Sequence, residues 1–172
     1  MYKEIKGDLI KLALEGKFEV IAHGCNCFCT MGSGIAVAMK NAFKCDTFDS
    51  EAPGLKGDIN KLGNIDYEYF TDKIDYIRKS NPNDFNCNDI LVIVVNAYSQ
   101  YYYGKNSPGC NQPLDYSALA LCLRKINYIF KGKHIGLPQI GCGLAGGDWG
   151  LVKEMIQEEL TDCDVTVVIY NK

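Results

Sequence analysis

The chain has 172 residues, a formal net charge of −3 and a pI near 5.4, with Arg78 and Arg124 its only arginines. That balance argues against grip on nucleic acid, which needs a basic footprint on phosphates, and against phosphate capture by Arg forks. No apolar run approaches the roughly 20 residues that cross a bilayer. Hydrophobic and charged residues make up 47 % and 23 %, a composition that supports a packed core, and the length fits one domain over residues 1–172. The opening Met1–Lys6 has no apolar signal-peptide core behind it, so a cytoplasmic location is expected. The nine cysteines are an odd number, and Cys122 and Cys163 lie within apolar runs. Reduced, mostly buried thiols are therefore expected rather than a disulfide framework.

Tyr2–Lys6 reads as an edge strand, broken at Gly7-Asp8, and Leu9–Glu15 as a short amphipathic helix. Phe18–His23 is a strand, followed by a loop of small and polar residues from Gly24 to Gly34. Ile35–Phe43 is a helix whose Ala36, Ala38 and Ala42 permit close packing. Residues 44–63 lack periodicity and predict a long loop with a helical turn; Asn64–Phe70 alternates as a strand does. Asn81-Pro82-Asn83-Asp84 marks a turn. Ile90–Asn96 is a continuous β-branched run, the pattern of a strand covered on both faces.

Tyr98–Pro113 is a loop or hairpin rich in Tyr, Gly and Asn, and Asp115 is placed to cap a helix from Tyr116 to Phe130. His134–Leu137 is a strand, Gln139–Trp149 a second glycine loop, Gly150–Leu160 a helix and Asp164–Tyr170 the last strand. Strands alternating with helices predict an α/β fold: a three-layer α/β/α sandwich around a mixed, largely parallel sheet.

Two glycine loops carry the chemistry. The first reads Asn26-Cys27-Phe28-Cys29-Thr30-Met31-Gly32-Ser33-Gly34-Ile35-Ala36 and the second Pro138-Gln139-Ile140-Gly141-Cys142-Gly143-Leu144-Ala145-Gly146-Gly147. Each lies between a strand and a helix, where open α/β sheets bind ligands. Glycine lets backbone N–H groups approach a phosphate, and the following helix adds its positive end. Two such loops suit a diphosphate; taken singly, each is equally a tight turn. Gly141-x-Gly143-x-x-Gly146 also matches the dinucleotide fingerprint, which keeps a nicotinamide-dependent oxidoreductase as an alternative. Its position near the chain end is unlike a Rossmann unit, which opens its domain.

With Gly7-Asp8-Leu9, the run Ile21-Ala22-His23-Gly24-Cys25-Asn26-Cys27 and Tyr170, these loops resemble the macrodomain family along the whole chain and in the family's order. The resemblance implies ADP-ribose as ligand. Asp8 would accept from the adenine amino group, Tyr170 would stack on adenine, the glycine loops would hold the diphosphate, and Asn26 would touch the distal ribose. The branch containing the fungal ADP-ribose 1″-phosphate phosphatase shares the His before the Asn, the Cys-Asn-Cys and the Pro-Gln-Ile approach to the second loop. That implies release of phosphate from ADP-ribose 1″-phosphate by a monomer without metal or cofactor. The alternatives are an ADP-ribosyl hydrolase and a non-catalytic reader. Ala145 stands where glutamate-specific hydrolases carry Asp, and Lys105 matches their catalytic Lys only loosely.

His23, expected at the pocket mouth, is the candidate acid, base or nucleophile, with a structural histidine as the alternative. Asp148 is a candidate for orienting water or, with better local logic, a helix cap. His23-x-Cys25-x-Cys27-x-Cys29 lacks the second cluster of a structural zinc site. Cys142 has a glycine loop and a helix N-terminus beside it but no evident base. Tyr101-Tyr102-Tyr103 either walls the pocket or covers a sheet edge.

Overall fold

The computed structural model describes residues 1–47, 56–71, 91–103 and 113–170. The Asn81–Asp84 turn, Lys105 and most of the 98–113 loop lie outside the described residues. Six strands form one sheet: β1 (Tyr2–Lys6), β2 (Val20–Asn26), β3 (Ile65–Phe70), β4 (Val92–Gln100), β5 (His134–Leu137) and β6 (Asp164–Ile169). Their spatial order is β1-β6-β5-β2-β4-β3. Every neighbouring pair is parallel except β3–β4. Four α-helices accompany the sheet in the described residues: α1 (Leu9–Leu14), α2 (Ile35–Phe43), α3 (Tyr116–Ile129) and α4 (Trp149–Glu159).

Strand alternation divides the core into two layers. Val20 and Ala22 of β2 and Ile93, Val95 and Ala97 of β4 face α3 and α4. Ile21 and Cys25 of β2 and Val92, Val94 and Tyr98 of β4 face α1 and α2. Helix α3 packs by its stripe Leu119, Cys122, Leu123 and Ile126, spaced for one helical face. β4 is buried along nearly its whole length, as its unbroken apolar run requires. The expected α/β/α sandwich is therefore present, with β1 and β3 at the edges.

Two strands run further than their sequence pattern. β2 continues past His23 through Gly24, Cys25 and Asn26, and β4 past Asn96 to Gln100. The extensions pair with each other, Gly24 with Ala97, Cys25 with Tyr98 and Asn26 with Gln100, with a bulge before the last pair. Mutual hydrogen bonding sustains them where neither has β-branched residues of its own. The loop expected from Gly24 therefore begins after Asn26. Two 3₁₀ turns, Cys45–Thr47 and Ile59–Lys61, occupy the stretch expected as loop.

Candidate functional site

A cleft of about 650 Å³ opens along the carboxyl ends of the parallel strands, in the range of small-ligand sites. Asp8 after β1 and Tyr170 after β6 line one end. The loop after β5 and the N-terminus of α2 line the middle; Asn26 and Gln100, the last residues of β2 and β4, and Tyr103 beyond β4 line the other end. From β1 to β4 is four strand intervals, about 19 Å at the usual spacing. That is a trough for an extended ligand.

The first loop delivers the end of α2. Gly34 is its N-cap, with φ 61 and ψ −148, and makes no side-chain cap bond. Only glycine adopts that conformation readily. No side chain therefore closes off the positive end of a nine-residue helix, and Ser33, Gly34, Ile35 and Ala36 all line the cleft.

The second loop is folded by its own backbone. Cys142 N–H donates to the Gln139 carbonyl (3.1 Å), Gly146 N–H to Gly143 (3.1 Å) and Gly147 N–H to Gly141 (2.9 Å). Among the described residues, the N–H groups of Gly141, Gly143, Leu144 and Ala145 make no hydrogen bond, and all four residues line the cleft. Gly141 has φ 74, and a Cβ there would stand 2.8 Å from Leu114 Cδ1. Two groups of uncommitted backbone donors thus border one trough, the arrangement a diphosphate requires.

Asp8 caps α1 with Oδ1, which accepts from Ile10 N–H (2.9 Å) and Lys11 N–H (3.1 Å). Both bonds use one oxygen, so the exposed carboxylate retains Oδ2 for a ligand. Asn26 orders the loop after β2. Its Oδ1 accepts from Phe28 and Thr30 N–H, each at 3.1 Å, and its Nδ2 donates to the Thr30 carbonyl at 2.9 Å.

Leu9, Gly24, Cys25, Met31, Ile140 and Cys142 also line the cleft as expected from the sequence. Gly7, Gly32 and Gly146 do not. Gly7 ends β1 by donating to the Ile169 carbonyl, and Gly146 closes the turn at Gly143. Among residues not anticipated, Gln100 and Val168 become lining because β4 and β6 deliver their ends to the trough. Thr30 follows from the Asn26 turn. Pro138 and Gln139 lay within the quoted second motif, and Tyr103 was one of two open readings.

The expectation for His23 is corrected. It does not stand at the pocket mouth: its side chain is wholly buried beneath β2 and absent from the lining. Nε2 lies 2.8 Å from Asn96 Oδ1, with Cys25 Sγ and Cys45 Sγ at 3.6 and 3.7 Å. Asn96 Nδ2 donates to the Cys45 carbonyl at 2.8 Å. Burial lowers the His23 pKa to about 4, only partly offset by the Asn96 bond. A neutral imidazole results, tying the segment after α2 to β2 and β4.

Of the two readings of Asp148, the helix cap holds and the water-orienting role does not. Asp148 is the N-cap of α4, accepting from Leu151 N–H at 3.0 Å, and is not among the lining residues. Burial pushes the Cys142 thiol up to about 11, so it is protonated at neutral pH and unsuited to attack. Among the described residues no group of three His, Cys, Asp or Glu side chains is placed to hold a metal, and the cysteines are free thiols. Ala145 is buried against the core. Among the described residues the lining carries a single carboxylate, Asp8, and no His, Lys or Arg.

No family model matches the chain. It is 33 % identical over 175 residues to the uncharacterized 17.5 kDa protein of the tk–vs intergenic region of Enterobacteria phage T4, covering 96 % of this chain and 94 % of that one. Among solved structures, the macrodomain of Mycobacterium tuberculosis DarG superposes with a TM-score of 0.66 at 20 % identity, over 100 % of this chain and 98 % of that one. Thermosipho africanus DarTG, solved in complex with ADP-ribose, superposes with a TM-score of 0.65 at 18 % identity, over 98 % of this chain and 41 % of that one. No described helix is long and apolar enough to cross a membrane.

Proposed function

This chain belongs to the family of the 17.5 kDa phage T4 protein and has the macrodomain fold, and on that premise we propose that its cleft binds ADP-ribose. The observation that carries the reading is the pair of donor-rich loops lining one trough, with Asp8 and Tyr170 at one end and Asn26 and Gln100 at the other. The adenine lies at the Asp8–Tyr170 end, where Asp8 Oδ2 accepts from its amino group and Tyr170 offers a ring face. The diphosphate lies between the α2 N-terminus and Gly141–Ala145. The distal ribose lies beside Asn26 and Gln100.

The resemblance extends this reading to hydrolysis of ADP-ribose 1″-phosphate to ADP-ribose and phosphate. Such chemistry has to proceed without His23 or Asp148 at the phosphorus, because neither side chain lines the cleft. Among the described residues the one lining carboxylate stands at the adenine end, so the described side chains beside the distal ribose favour binding over acid–base chemistry. Calorimetry with ADP-ribose and AMP, alongside phosphate release from ADP-ribose 1″-phosphate, tests both levels. ADP-ribose is expected to bind more tightly than AMP. Absence of ADP-ribose binding overturns the reading, and binding without phosphate release removes the phosphatase extension alone.

A further inference from the structure

Two carboxamides, Asn26 and Gln100, stand at the distal end of the trough, and their hydrogen bonds leave them with different chemistry to offer. Asn26 is spent on its own loop. Its Oδ1 accepts from the Phe28 and Thr30 N–H groups, and its Nδ2 donates to the Thr30 carbonyl. Both lone pairs of the amide oxygen are then taken, and the residue is only 6 % exposed. Asn26 keeps one N–H for a ligand, and no acceptor.

Gln100 is held from both sides. It ends β4 paired with Asn26 of β2, its carbonyl accepts from Cys27 N–H at 3.1 Å, and a further bridge joins it to Leu114. Leu114 N–H in turn donates to the Ala145 carbonyl of the second glycine loop at 3.2 Å. Gln100 is therefore fixed between the loop after β2 and the loop after β5. Its side chain is oriented too, because Nε2 donates to the Tyr102 carbonyl at 2.8 Å. A carbonyl accepts only from the N–H end of an amide, which decides which end is which. Among the described residues Oε1 makes no hydrogen bond, and Gln100 lines the cleft.

The distal ring of a nucleoside diphosphate sugar brings hydroxyl protons, and a hydroxyl taken out of water needs an acceptor for its proton. The backbone N–H groups of the two glycine loops suit phosphate oxygens and cannot serve as acceptors. Gln100 Oε1 can, and it is pre-positioned at no cost to the ligand. We propose that Gln100 is the specificity-determining residue for the distal sugar: Oε1 accepts from a hydroxyl of that ring, and the preference for ADP-ribose over ADP comes from Gln100. Asn26, to which the family resemblance gives the ribose contact, shapes the loop instead. The inference rests on the ADP-ribose reading above and divides its distal subsite into one residue that reads the sugar and one that holds the backbone.

Calorimetry with ADP-ribose and with ADP, which lacks the distal ring, tests it on the native chain, Gln100→Ala and Asn26→Ala. The native chain is expected to bind ADP-ribose more tightly than ADP. Gln100→Ala should weaken ADP-ribose about three- to tenfold, the range for one hydrogen bond, and leave ADP within about twofold, so that the preference collapses. Asn26→Ala should lower Tm and weaken both ligands by the same factor. Gln100→Ala decides the matter alone if Asn26→Ala does not fold, since Gln100 is half-buried at a strand end and outside both core clusters. A Gln100→Ala variant that keeps the native preference, or weakens both ligands in proportion, overturns the proposal. So does an Asn26→Ala variant that loses the preference while Gln100→Ala retains it, and so does a native chain that binds ADP and ADP-ribose equally. Absence of binding by either ligand refutes the functional reading beneath the proposal, a result distinct from ADP-ribose binding without a Gln100-dependent preference.

Discussion

Gly34→Ala isolates the backbone contribution to the first phosphate loop. At Gly34 a Cβ meets nothing within 4 Å, yet φ is 61 and ψ −148. The cost of alanine is therefore purely conformational, about 1–3 kcal/mol for a non-glycine residue held in that region. Gly32→Ala is the internal control. Its Cβ also meets nothing, its φ lies outside the left-handed range, and alanine there stabilises by about 0.4–1 kcal/mol through the unfolded chain. If the loop holds its shape, the Gly34 penalty appears as stability: near 2 kcal/mol it lowers Tm by about 4–8 °C in a chain of this size. If the loop relaxes instead, the N–H groups of Gly34–Ala36 leave the ligand and the same energy appears in affinity, about 30-fold at 2 kcal/mol. Thermal unfolding together with ADP-ribose calorimetry on both variants captures either outcome. Gly34→Ala behaving like Gly32→Ala in both measurements would refute the argument.

Two further substitutions separate structural from catalytic roles. His23 is held near pKa 4 by burial, below the 6.5 of a free imidazole. Above pH 6.5 both states are neutral; between 6.5 and 4 only the unfolded chain gains the proton. Stability therefore falls as pH drops through that window, by roughly 3 kcal/mol at its lower end. His23→Gln should show a flatter profile of Tm against pH between 7 and 4, and an unchanged slope would contradict the assignment. Asp148→Ala removes the α4 cap, costing about 1 kcal/mol and about 2–4 °C in Tm, with ADP-ribose affinity intact. Lost affinity at an unaltered Tm would instead place Asp148 in the site.

Much of this protein is legible as sequence because the signals are local. The apolar run that ends at Asn96, the Asp115 cap and the strand–glycine–helix passages each depend on residues close in the chain, and the described part of each, Val92–Asn96 in the first case, takes the expected structure. Both phosphate loops follow from the same locality, since glycine content and position after a strand are properties of a short segment. The fate of His23 is not local. Alternation puts Ile21, His23 and Cys25 on one face, but only the pairing of β2 with β4 carries the strand on to Asn26 and leaves His23 inside rather than at the rim.

That same pairing delivers Gln100 and Tyr103 to the cleft. By itself the sequence determined the order of the elements and the two glycine loops. The tertiary structure alone decided which polar side chains face the trough. It buried His23 against Asn96, committed Asp148 to a helix end and brought Tyr103 to the cleft. The physical reason is that strand length and side-chain burial are set by hydrogen-bonded partners some 70 residues away, such as the 73 between His23 and Asn96.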